Sequence, residues 1–485
     1  MSNPAVRSTS ERPRPRWVLA LTSLAFFMVA LDLLVVITAL PAIGHDFHAG
    51  LSTLEWTVNS YSLAFAAGIM TAAALGDRLG RRRVFATGLG LFTLASAACA
   101  LAPTAGVLIA ARTIQGLGGA MVMPLSLTIL AAAFPPERRG AIVGIWGGIG
   151  GLAIASGPLI GGAVTQGLSW HWIFWINVPI GAAAVVLSLL RLSESHGPAT
   201  RLDLPAVGLV AGGTLGIVSG LMRANELGWT SPQTLGSLGL GLALMSGFVL
   251  WEGRAPQPML PLRLFGNRRF SAAMGSTFLM NGALLASAFL IAQYLQVVLG
   301  YSPLNAGLRF LPMTATPLVV APLAGIVSDR IGQRPVLLSG LALLGIGLAW
   351  LAAVATPGVA YVVLVLPLLL AGVGVSMSFA TTATAALTAV APADMGKASG
   401  ANSTIQRLGG VFGIAIATAI FAANGHLGSA ASFNAGFRPA LLVAAAFAGL
   451  GALSAGFLNP PILSGRVGAG GKNSALLAPA PSPAQ

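Results

Sequence analysis

Two charged residues inside long apolar segments, Asp32 and Arg112, are the side chains best suited to chemistry in this chain. A charge within membrane hydrocarbon is costly, so such a residue is by default a candidate for function. Counted along their segments at ~1.5 Å per residue, both lie roughly 9–12 Å below the same membrane surface. Equal depth allows a direct or water-bridged ion pair. The alternative is a structural pair that only holds two helices together.

A buried carboxylate beside an arginine is suited to binding and releasing a proton. Burial favours the neutral form of a carboxylate, whereas a neighbouring cation favours the ionised form. Because the two effects oppose each other, a change in exposure can change the protonation state. We therefore expect Asp32 to carry a proton and Arg112 to tune its affinity.

The other acidic residues are predicted to lie in tails, in loops or at the ends of apolar segments. Glu55 is the second choice for a proton site, although a solvated loop acid is the simpler interpretation. These other acids are Glu11, Asp46, Glu55, Asp77, Glu137, Glu194, Asp203, Glu226, Glu252, Asp329 and Asp394.

Long apolar segments dominate the 485-residue chain, of which 55% is hydrophobic and 8% charged, with a mean hydropathy of +0.84. A soluble protein could not hide that much apolar surface, so these segments are predicted to be transmembrane helices. Hydropathy divides them into fourteen spans at 17–40, 53–75, 84–102, 105–133, 140–164, 172–190, 204–222, 234–251, 270–292, 304–326, 335–354, 359–383, 400–423 and 437–459.

The distribution of basic residues explains the net charge of +14 without a nucleic-acid partner. If the N-terminus is inside, nearly all Lys and Arg outside the spans fall in inner segments, and only Arg223 and Arg438 fall in outer ones. This asymmetry predicts that both termini are cytoplasmic. Residues 1–16 are then a cytoplasmic tail, and the Gly/Ala/Pro/Ser-rich residues 464–485 are a disordered cytoplasmic tail.

Several other kinds of site are not expected. The single cysteine, Cys99, excludes an intrachain disulfide and a thiolate metal site. His45 and His48 share a predicted loop but have no further ligands nearby, so no metal is expected there. The chain also has no phosphate-binding Walker loop, and no ATP-driven activity is expected.

One loop motif occurs twice, which predicts two parallel halves. The first copy, Gly76-Asp77-Arg78-Leu79-Gly80-Arg81-Arg82-Arg83, recurs as Ser328-Asp329-Arg330-Ile331-Gly332-Gln333-Arg334 on the same side of the membrane. The first half is then a six-helix unit at 17–190 and the second a six-helix unit at 270–459. The two spans at 204–251 are an inserted helix pair.

This loop resembles the G-x-L-a-D-r-x-G-r-k/r signature of the major facilitator superfamily. Further stretches resemble its fourteen-span drug:proton antiporter branch. Leu31–Pro41 is similar to the branch's first-span motif L-D-x-T-V-V-N-V-A-L-P, with Leu34 and Ile37 as departures. The other similar stretches are Arg112–Gly116 (R-x-x-Q-G), Gly157–Gly162, Trp172–Gly181 and Asn402–Gly410.

The resemblance implies an all-α polytopic membrane protein with two six-helix halves and an inserted pair. It implies proton-coupled efflux of small amphiphilic compounds, such as antibiotics or dyes, across the bacterial inner membrane. One deep acid favours a one-to-one exchange and a neutral or monocationic substrate. No cofactor, metal, nucleic-acid partner or enzymatic activity is expected. The expected energy source is a proton gradient, and the protein is expected to act as a monomer in the lipid bilayer. The alternatives are transport of a specific metabolite and a non-transporting membrane sensor of the same fold.

The resemblance also assigns roles to three groups of residues. The loop motif is expected to act in gating, through Gly76, Asp77, Arg78, Gly80, Arg81, Arg82, Asp329, Arg330 and Gly332. The fifth-span antiporter motif is expected to form a flexible seam between the halves, or ordinary tight packing, through Gly144, Gly157, Pro158, Gly161 and Gly162. The candidates for the substrate cavity are Thr38, Asn59, Tyr61, Gln115, Met121, Met123, Asn281, Gln293 and Gln296.

Overall fold

The computed structural model describes residues 15–197, 203–256, 258, 260, 262–391 and 394–458. The predicted tail 464–485, and the predicted tail 1–16 as far as residue 14, lie outside these residues. Within them the secondary structure is helical and no strand occurs.

The helices are α1 (Pro15–Asp46), α2 (Leu51–Leu79), α3 (Arg81–Ala100), α4 (Ala105–Ala133), α5 (Pro136–Gly167), α6 (Trp172–Trp175), α7 (Asn177–Arg191), α8 (Leu204–Leu227), α9 (Pro232–Arg254), α10 (Arg268–Gln293), α11 (Pro303–Thr314), α12 (Pro317–Ile331), α13 (Gln333–Val354), α14 (Tyr361–Thr388), α15 (Met395–Asn424) and α16 (Ala430–Gly456).

These helices supply the fourteen predicted spans. Thirteen spans in the described residues are long and apolar enough to cross a membrane, and the bent helix α2 makes a fourteenth. The two parts of α2, Leu51–Ile69 and Thr71–Leu79, meet at an angle of 48°. The prediction of an all-helical, fourteen-span membrane protein is therefore confirmed.

Three spans differ in detail from the prediction. The sixth consists of α6 and α7, and the ninth ends in a π-helical turn, Tyr294–Val298. The tenth is divided into α11 and α12, because Pro317 has no N–H to donate and its ring clashes with the preceding turn. Several helices also extend beyond the predicted limits, as α1 does to Asp46. Hydropathy detects only the apolar centre of a helix.

The helices form two bundles with matching internal contacts. In the first bundle α1 packs on α5, and α4 packs on both α2 and α3; in the second α10 packs on α15, and α14 packs on both α13 and α12. The two bundles meet along two seams that also correspond to each other, one between α5 and α11 and the other between α2 and α15. The fold thus has the approximate two-fold repeat that the duplicated loop predicts.

The pair α8 and α9 lies beside the second of these seams. The two helices pack closely because Gly213, Gly216 and Gly241 bring their backbones together. Helix α8 contacts both α2 and α15, so the pair bridges the two bundles.

Both seams lie away from one end of the bundle, which we name the arginine-rich end because the Gly80 and Gly332 turns and their arginines are there. The α5–α11 seam joins residues 155–166 to 303–314. The α2–α15 seam joins residues 55–65 to 407–418. The structure is therefore closed at the end opposite the arginine-rich one.

The arginine-rich half of α5 is less covered. A Cβ atom added at Gly147, Gly148 or Gly151 would meet no other atom within 4 Å. Ile145 and Leu152 on the same half are 49% and 47% exposed. This half of α5 therefore lacks the close cross-bundle packing of the other half.

Candidate functional site

Asp32 and Arg112 form an ion pair in the first bundle. Arg112 Nη1 donates to Asp32 Oδ2, and the two side chains are 0% and 1% exposed. Asp32 lies on α1 and Arg112 on α4, so the pair joins two helices. A buried ion pair in such surroundings requires further hydrogen bonds to hold both partners.

Gln115 completes the first set of those hydrogen bonds. It lies three residues after Arg112 and therefore on the same face of α4. Its Nε2 donates to Asp32 Oδ1 at 2.9 Å, and its Oε1 accepts from Arg112 Nη1 at 2.7 Å. Both carboxylate oxygens of Asp32 are thus occupied, one by a cation and the other by a neutral amide.

Arg112 is held by groups from two further helices. Its Nε donates to the carbonyl of Thr57 at 3.2 Å. Its guanidinium carbon lies 4.2 Å from the ring centroid of Tyr61 and 5.9 Å from that of Phe174, distances suited to cation–π attraction. Nη2, by contrast, is buried and has no hydrogen-bond partner. The arginine therefore keeps one donor free within the site.

A chain of neutral polar groups leads from the pair towards α3 and α7. Gln115 Nε2 also lies 3.3 Å from Ser96 Oγ, which accepts from Asn177 Nδ2 at 3.2 Å. The Cys99 thiol donates to Gln115 Oε1 at 3.6 Å. Asn177 belongs to the sixth-span stretch Trp172–Gly181, whereas Ser96 lies in none of the motifs of the sequence. A polar residue inside an apolar segment is nevertheless a usable signal.

The substrate-cavity candidates are found at several places in the two bundles, and Thr38 and Gln296 line a common cavity. Tyr61 and Gln115 belong to the ion-pair cluster, Asn59 bonds to Glu55, and Met123 Sδ accepts from Arg407 Nη2 at 3.9 Å. Gln296 Nε2 donates to the carbonyl of Thr38 at 2.9 Å, where α1 meets the π-helical turn. These contacts lie in the bundle interior or at its seams.

The remaining cavity candidates interact within their own bundles. Asn281 and Gln293 donate to carbonyls of their own helix, at 3.0 and 3.5 Å. Met121 packs against Gly88 of α3. Among the hydrogen bonds of the described residues, those of Asn281 and Gln293 stay within α10.

The first copy of the loop motif is held by the segment that follows α7. Asp77 Oδ1 accepts from Arg81 at 2.7 Å, and Glu194 Oε1 accepts from the backbone N–H of Arg82 at 2.9 Å. The backbone N–H of Arg81 donates to the carbonyl of Ser195 at 2.9 Å. Glu194, which the sequence analysis placed among the loop acids, is therefore part of this motif.

The glycines of the loop motif allow its turn and its packing. Gly80 has φ of 109° and Gly332 has φ of 89°, values that favour glycine. Gly76 allows Leu125 of α4 to approach, whereas Arg78 is exposed. The second copy differs from the first, because Asp329 and Arg330 are both exposed and neither forms an ion pair within the described residues.

The fifth-span glycines face two different neighbours. A Cβ at Gly157 or Gly161 would collide with Leu34 or Val35 of α1, within the first bundle. At Gly162 it would collide with the backbone of Pro303 across the α5–α11 seam. Pro158 lies in the same seam, where its carbonyl approaches Gly307 of α11. The side-chain surroundings of Gly144 are outside the described part of the chain.

Glu55 corrects one expectation from the sequence. The interpretation as a solvated loop acid is wrong, because Glu55 lies in the first turns of α2 and is 2% exposed. The helix begins earlier than predicted, and α15 covers its first turns. Glu55 is therefore a buried carboxylate at the seam between α2 and α15.

Comparison with known proteins identifies the family. A family model described as Major Facilitator Superfamily matches residues 22–414 and, in a second match, 279–481. Multidrug resistance protein Stp of Mycobacterium tuberculosis is 37% identical over 404 residues, covering 83% of this chain and 75% of that protein. Drug efflux pump JefA of the same organism is 35% identical over 425 residues, 85% of this chain and 81% of that protein.

A relative from Streptomyces glaucescens is matched over less of its length. The tetracenomycin C resistance and export protein is 37% identical over 334 residues, which cover 68% of this chain and 62% of that protein. Among solved structures, a bacterial homologue of the human lysosomal transporter Spinster superposes with a TM-score of 0.64 at 16% identity, covering 93% of this chain and 98% of that one. The xylose transporter XylE of E. coli gives 0.61 at 17% identity, covering 90% and 96%.

The structural likenesses show the fold alone, because their sequence identities are low. The sequence relatives and the family match cover most of the chain. This multi-pass membrane protein therefore belongs to the Major Facilitator Superfamily, a family of transporters rather than enzymes, and within it to the drug-efflux branch.

Proposed function

We propose that the protein exports small amphiphilic, drug-like compounds in exchange for protons. The observation that carries this proposal is the buried Asp32, whose two oxygens are held by Arg112 and Gln115. Relatives named for multidrug resistance, drug efflux and antibiotic resistance support the substrate class. The unpaired Arg112 Nη2 favours a substrate that carries a hydrogen-bond acceptor.

Coupling follows from the charge of the pair. When Asp32 is ionised, the pair is neutral; when Asp32 is protonated, Arg112 is left as an uncompensated cation. A bound amphiphile that displaces water from the pair lowers the local dielectric and favours its neutral form. Substrate binding therefore promotes release of the proton, and proton binding promotes release of the substrate. This competition is what an antiporter requires.

The seams and the loop motif would allow the bundles to rock. Residues 17–190 and 270–459 are the proposed moving halves, with 204–251 as the inserted pair between them. The proposed gate is formed by the two copies of the loop motif at the arginine-rich end. Its residues include Asp77 and Gly80 in the first copy and Asp329 and Gly332 in the second. Close approach at Gly162 and Pro158 would hold the opposite end closed.

The setting of the protein is part of the proposal. The excess of arginine at one end of the bundle supports cytoplasmic termini in the bacterial inner membrane. Proton motive force is the proposed energy source, no cofactor is required, and a monomer is the proposed functional unit, since one chain supplies the whole Asp32 cluster.

A direct test uses inside-out membrane vesicles that are energised to form a proton gradient and incubated with antibiotics and dyes. We expect wild-type protein to drive uptake of at least one compound that an uncoupler abolishes, and Asp32→Asn to lose this uptake. Asp46→Asn, at the exposed end of the same helix, is the matched control and should transport normally. Full gradient-driven transport by Asp32→Asn would contradict the proposal. Compound binding without any flux would indicate a sensor, and flux restricted to one metabolite would indicate a specific transporter.

A further inference from the structure

The buried carboxyl of Glu55 lies at the α2–α15 seam and has no cationic partner. Within the described residues, none of the ion pairs includes Glu55. Its neighbours at the seam are apolar, with Trp56 and Leu63 of α2 packed on Val411 and Ala415 of α15. An ionised carboxylate buried in such surroundings without a partner is strongly unfavourable.

Two neutral polar groups contact the carboxyl of Glu55. Its Oε1 accepts from Asn59 Nδ2 at 3.3 Å. The carboxyl also meets the hydroxyl of Thr418 on α15. That hydroxyl donates within its own helix, to the carbonyls of Ile414 and Ala415 at 2.8 and 3.1 Å. Neither Asn59 nor Thr418 carries a charge that would compensate an ionised Glu55.

Charged residues on the helices around α2 are engaged elsewhere or lie at a different depth. Arg112 of α4 binds Asp32, and Arg407 of α15 stacks on Phe65. Arg223 of α8 donates to Ser237 at 3.0 Å. Two groups of further titratable residues on these helices have described side chains. Those at or towards the arginine-rich end are Lys397 of α15, Arg81, Arg82 and Arg83 of α3, Arg16 of α1, and Asp77 and Arg78 of α2. The others are Tyr61 of α2, Cys99 of α3, and His45 and Asp46 at the exposed end of α1.

We infer that Glu55 is a second proton-binding site, which closes the α2–α15 seam when it is protonated and releases it when it is ionised. The role of Glu55 in transport rests on the proposed function, whereas its effect on the closure of the seam does not depend on that function. In the closed state the neutral acid of Glu55 is buried between the bundles, where it meets Thr418 of α15. Loss of its proton leaves a buried carboxylate without a cationic partner, and opening to water relieves this.

The consequence for transport is a proton-controlled gate. From the open state, Glu55 takes a proton from the aqueous phase at the end opposite the arginine-rich one, and the seam then closes. Asp32 responds to the substrate, whereas Glu55 responds to the pH at that end. The exchange then involves two protonatable carboxyls rather than the one that the sequence predicts.

The test measures the distance across the seam directly, in the full-length protein reconstituted in lipid nanodiscs. Spin labels at Ser52→Cys and Asn424→Cys, in a Cys99→Ala background, report the separation of the start of α2 and the end of α15 by pulsed electron resonance. We expect the distance to lengthen as the pH is raised from about 5 to about 9, with one titration midpoint. An Asp32→Asn background should retain this response, since it depends on Glu55.

Two variants and a control decide the assignment. Glu55→Gln is neutral at every pH and should remain closed throughout the range. Thr418→Val removes a neighbouring hydroxyl that favours the ionised carboxylate, so it should raise the opening midpoint by about one pH unit, a tenfold gain of proton affinity. Asp46→Asn, an exposed acid at the same end, should behave as wild type.

An unchanged distance in wild type across the range, or the same pH response in Glu55→Gln as in wild type, would overturn the inference. Because the readout is a distance rather than flux, it separates this inference from the proposed function. If vesicles show no transport but the label distance still responds to pH, the proposed function fails and the inference about Glu55 stands. If transport is normal but the distance does not respond to pH, the inference fails and the proposed function stands.

Discussion

The two seams between the bundles occupy equivalent places in the repeated fold but are built differently. The α5–α11 seam is a contact of backbones, in which Gly162 meets Pro303 and Gly307 meets Pro158. The α2–α15 seam is a contact of side chains, in which Glu55 meets Thr418 and the Arg407 guanidinium lies 4.0 Å from the ring centroid of Phe65.

The closed end of the bundle therefore combines a seam whose contacts are set by backbone shape with a seam whose contacts can change with protonation. The contacts of Gly162 with Pro303 and of Gly307 with Pro158 use backbone atoms and depend on the space that glycine leaves. The side-chain contact contains an acid whose charge depends on pH and an arginine whose attraction to a ring depends on geometry. We therefore expect substitutions at the first seam to act through shape, and substitutions at the second to act through charge.

The largest effect is expected at the backbone seam. Gly162→Ala places a methyl group on the carbonyl of Pro303, and neither backbone can yield without moving a helix. Overpacking of this kind costs about 1–3 kcal/mol, so we expect a loss of efflux in vesicles between about fivefold and about a hundredfold. Gly148→Ala is the matched control on the same helix, because a Cβ there meets nothing within 4 Å, and it should transport normally. Equal activity of the two variants would show that the seam is not sterically fixed.

A smaller effect is expected from the arginine of the side-chain seam. Arg407→Met removes the attraction to the Phe65 ring, worth about 0.5–2 kcal/mol, and should shift the equilibrium between closed and open by about twofold to about thirtyfold. The measurement is the Ser52–Asn424 label distance at fixed low pH. Arg407→Lys keeps the charge but loses the planar stacking, so its shift should be intermediate. A closed population unchanged by either substitution would mean that the stacking contributes nothing to closure.

The smallest effect is expected for the hydrogen bond from Thr314 to the carbonyl of Ala155, across the backbone seam. Its length of 3.5 Å indicates a weak bond, and Thr314 has an equally long alternative to Phe310. Thr314→Val should therefore change efflux by less than about twofold, corresponding to less than about 0.5 kcal/mol. A loss as large as that of Gly162→Ala would show that polar contacts, rather than glycine packing, hold this seam.

Much of the fold could be predicted because membrane spans leave a strong pattern. Apolar segments of spanning length predicted the fourteen spans, and the duplicated loop predicted the repeat that the helix contacts display. The breaks at Ile176 and before Pro317 were harder to predict. Hydropathy measures only apolar character, whereas a break depends on local backbone geometry.

The site was partly predictable for a related reason. Depth along a helix can be counted, so Asp32 and Arg112 could be placed at one level, and the structure brings them into contact. The contacts of Gln115 with Ser96 and of Arg82 with Glu194 depend on the rotation of each helix and on the path of the loops. Counting residues along a span does not give either of these. Glu55 was misjudged for the same reason, since its burial comes from α15, a helix far away in sequence.

The most direct test of the central claim counts the protons released when a transported compound binds. Purified protein in weakly buffered detergent, at a pH where the site is protonated, is mixed with that compound while the solution pH is recorded. We predict release of about one proton per bound molecule from wild type and from Glu55→Gln, and none from Asp32→Asn that still binds the compound. The same proton release from Asp32→Asn as from wild type would contradict the account.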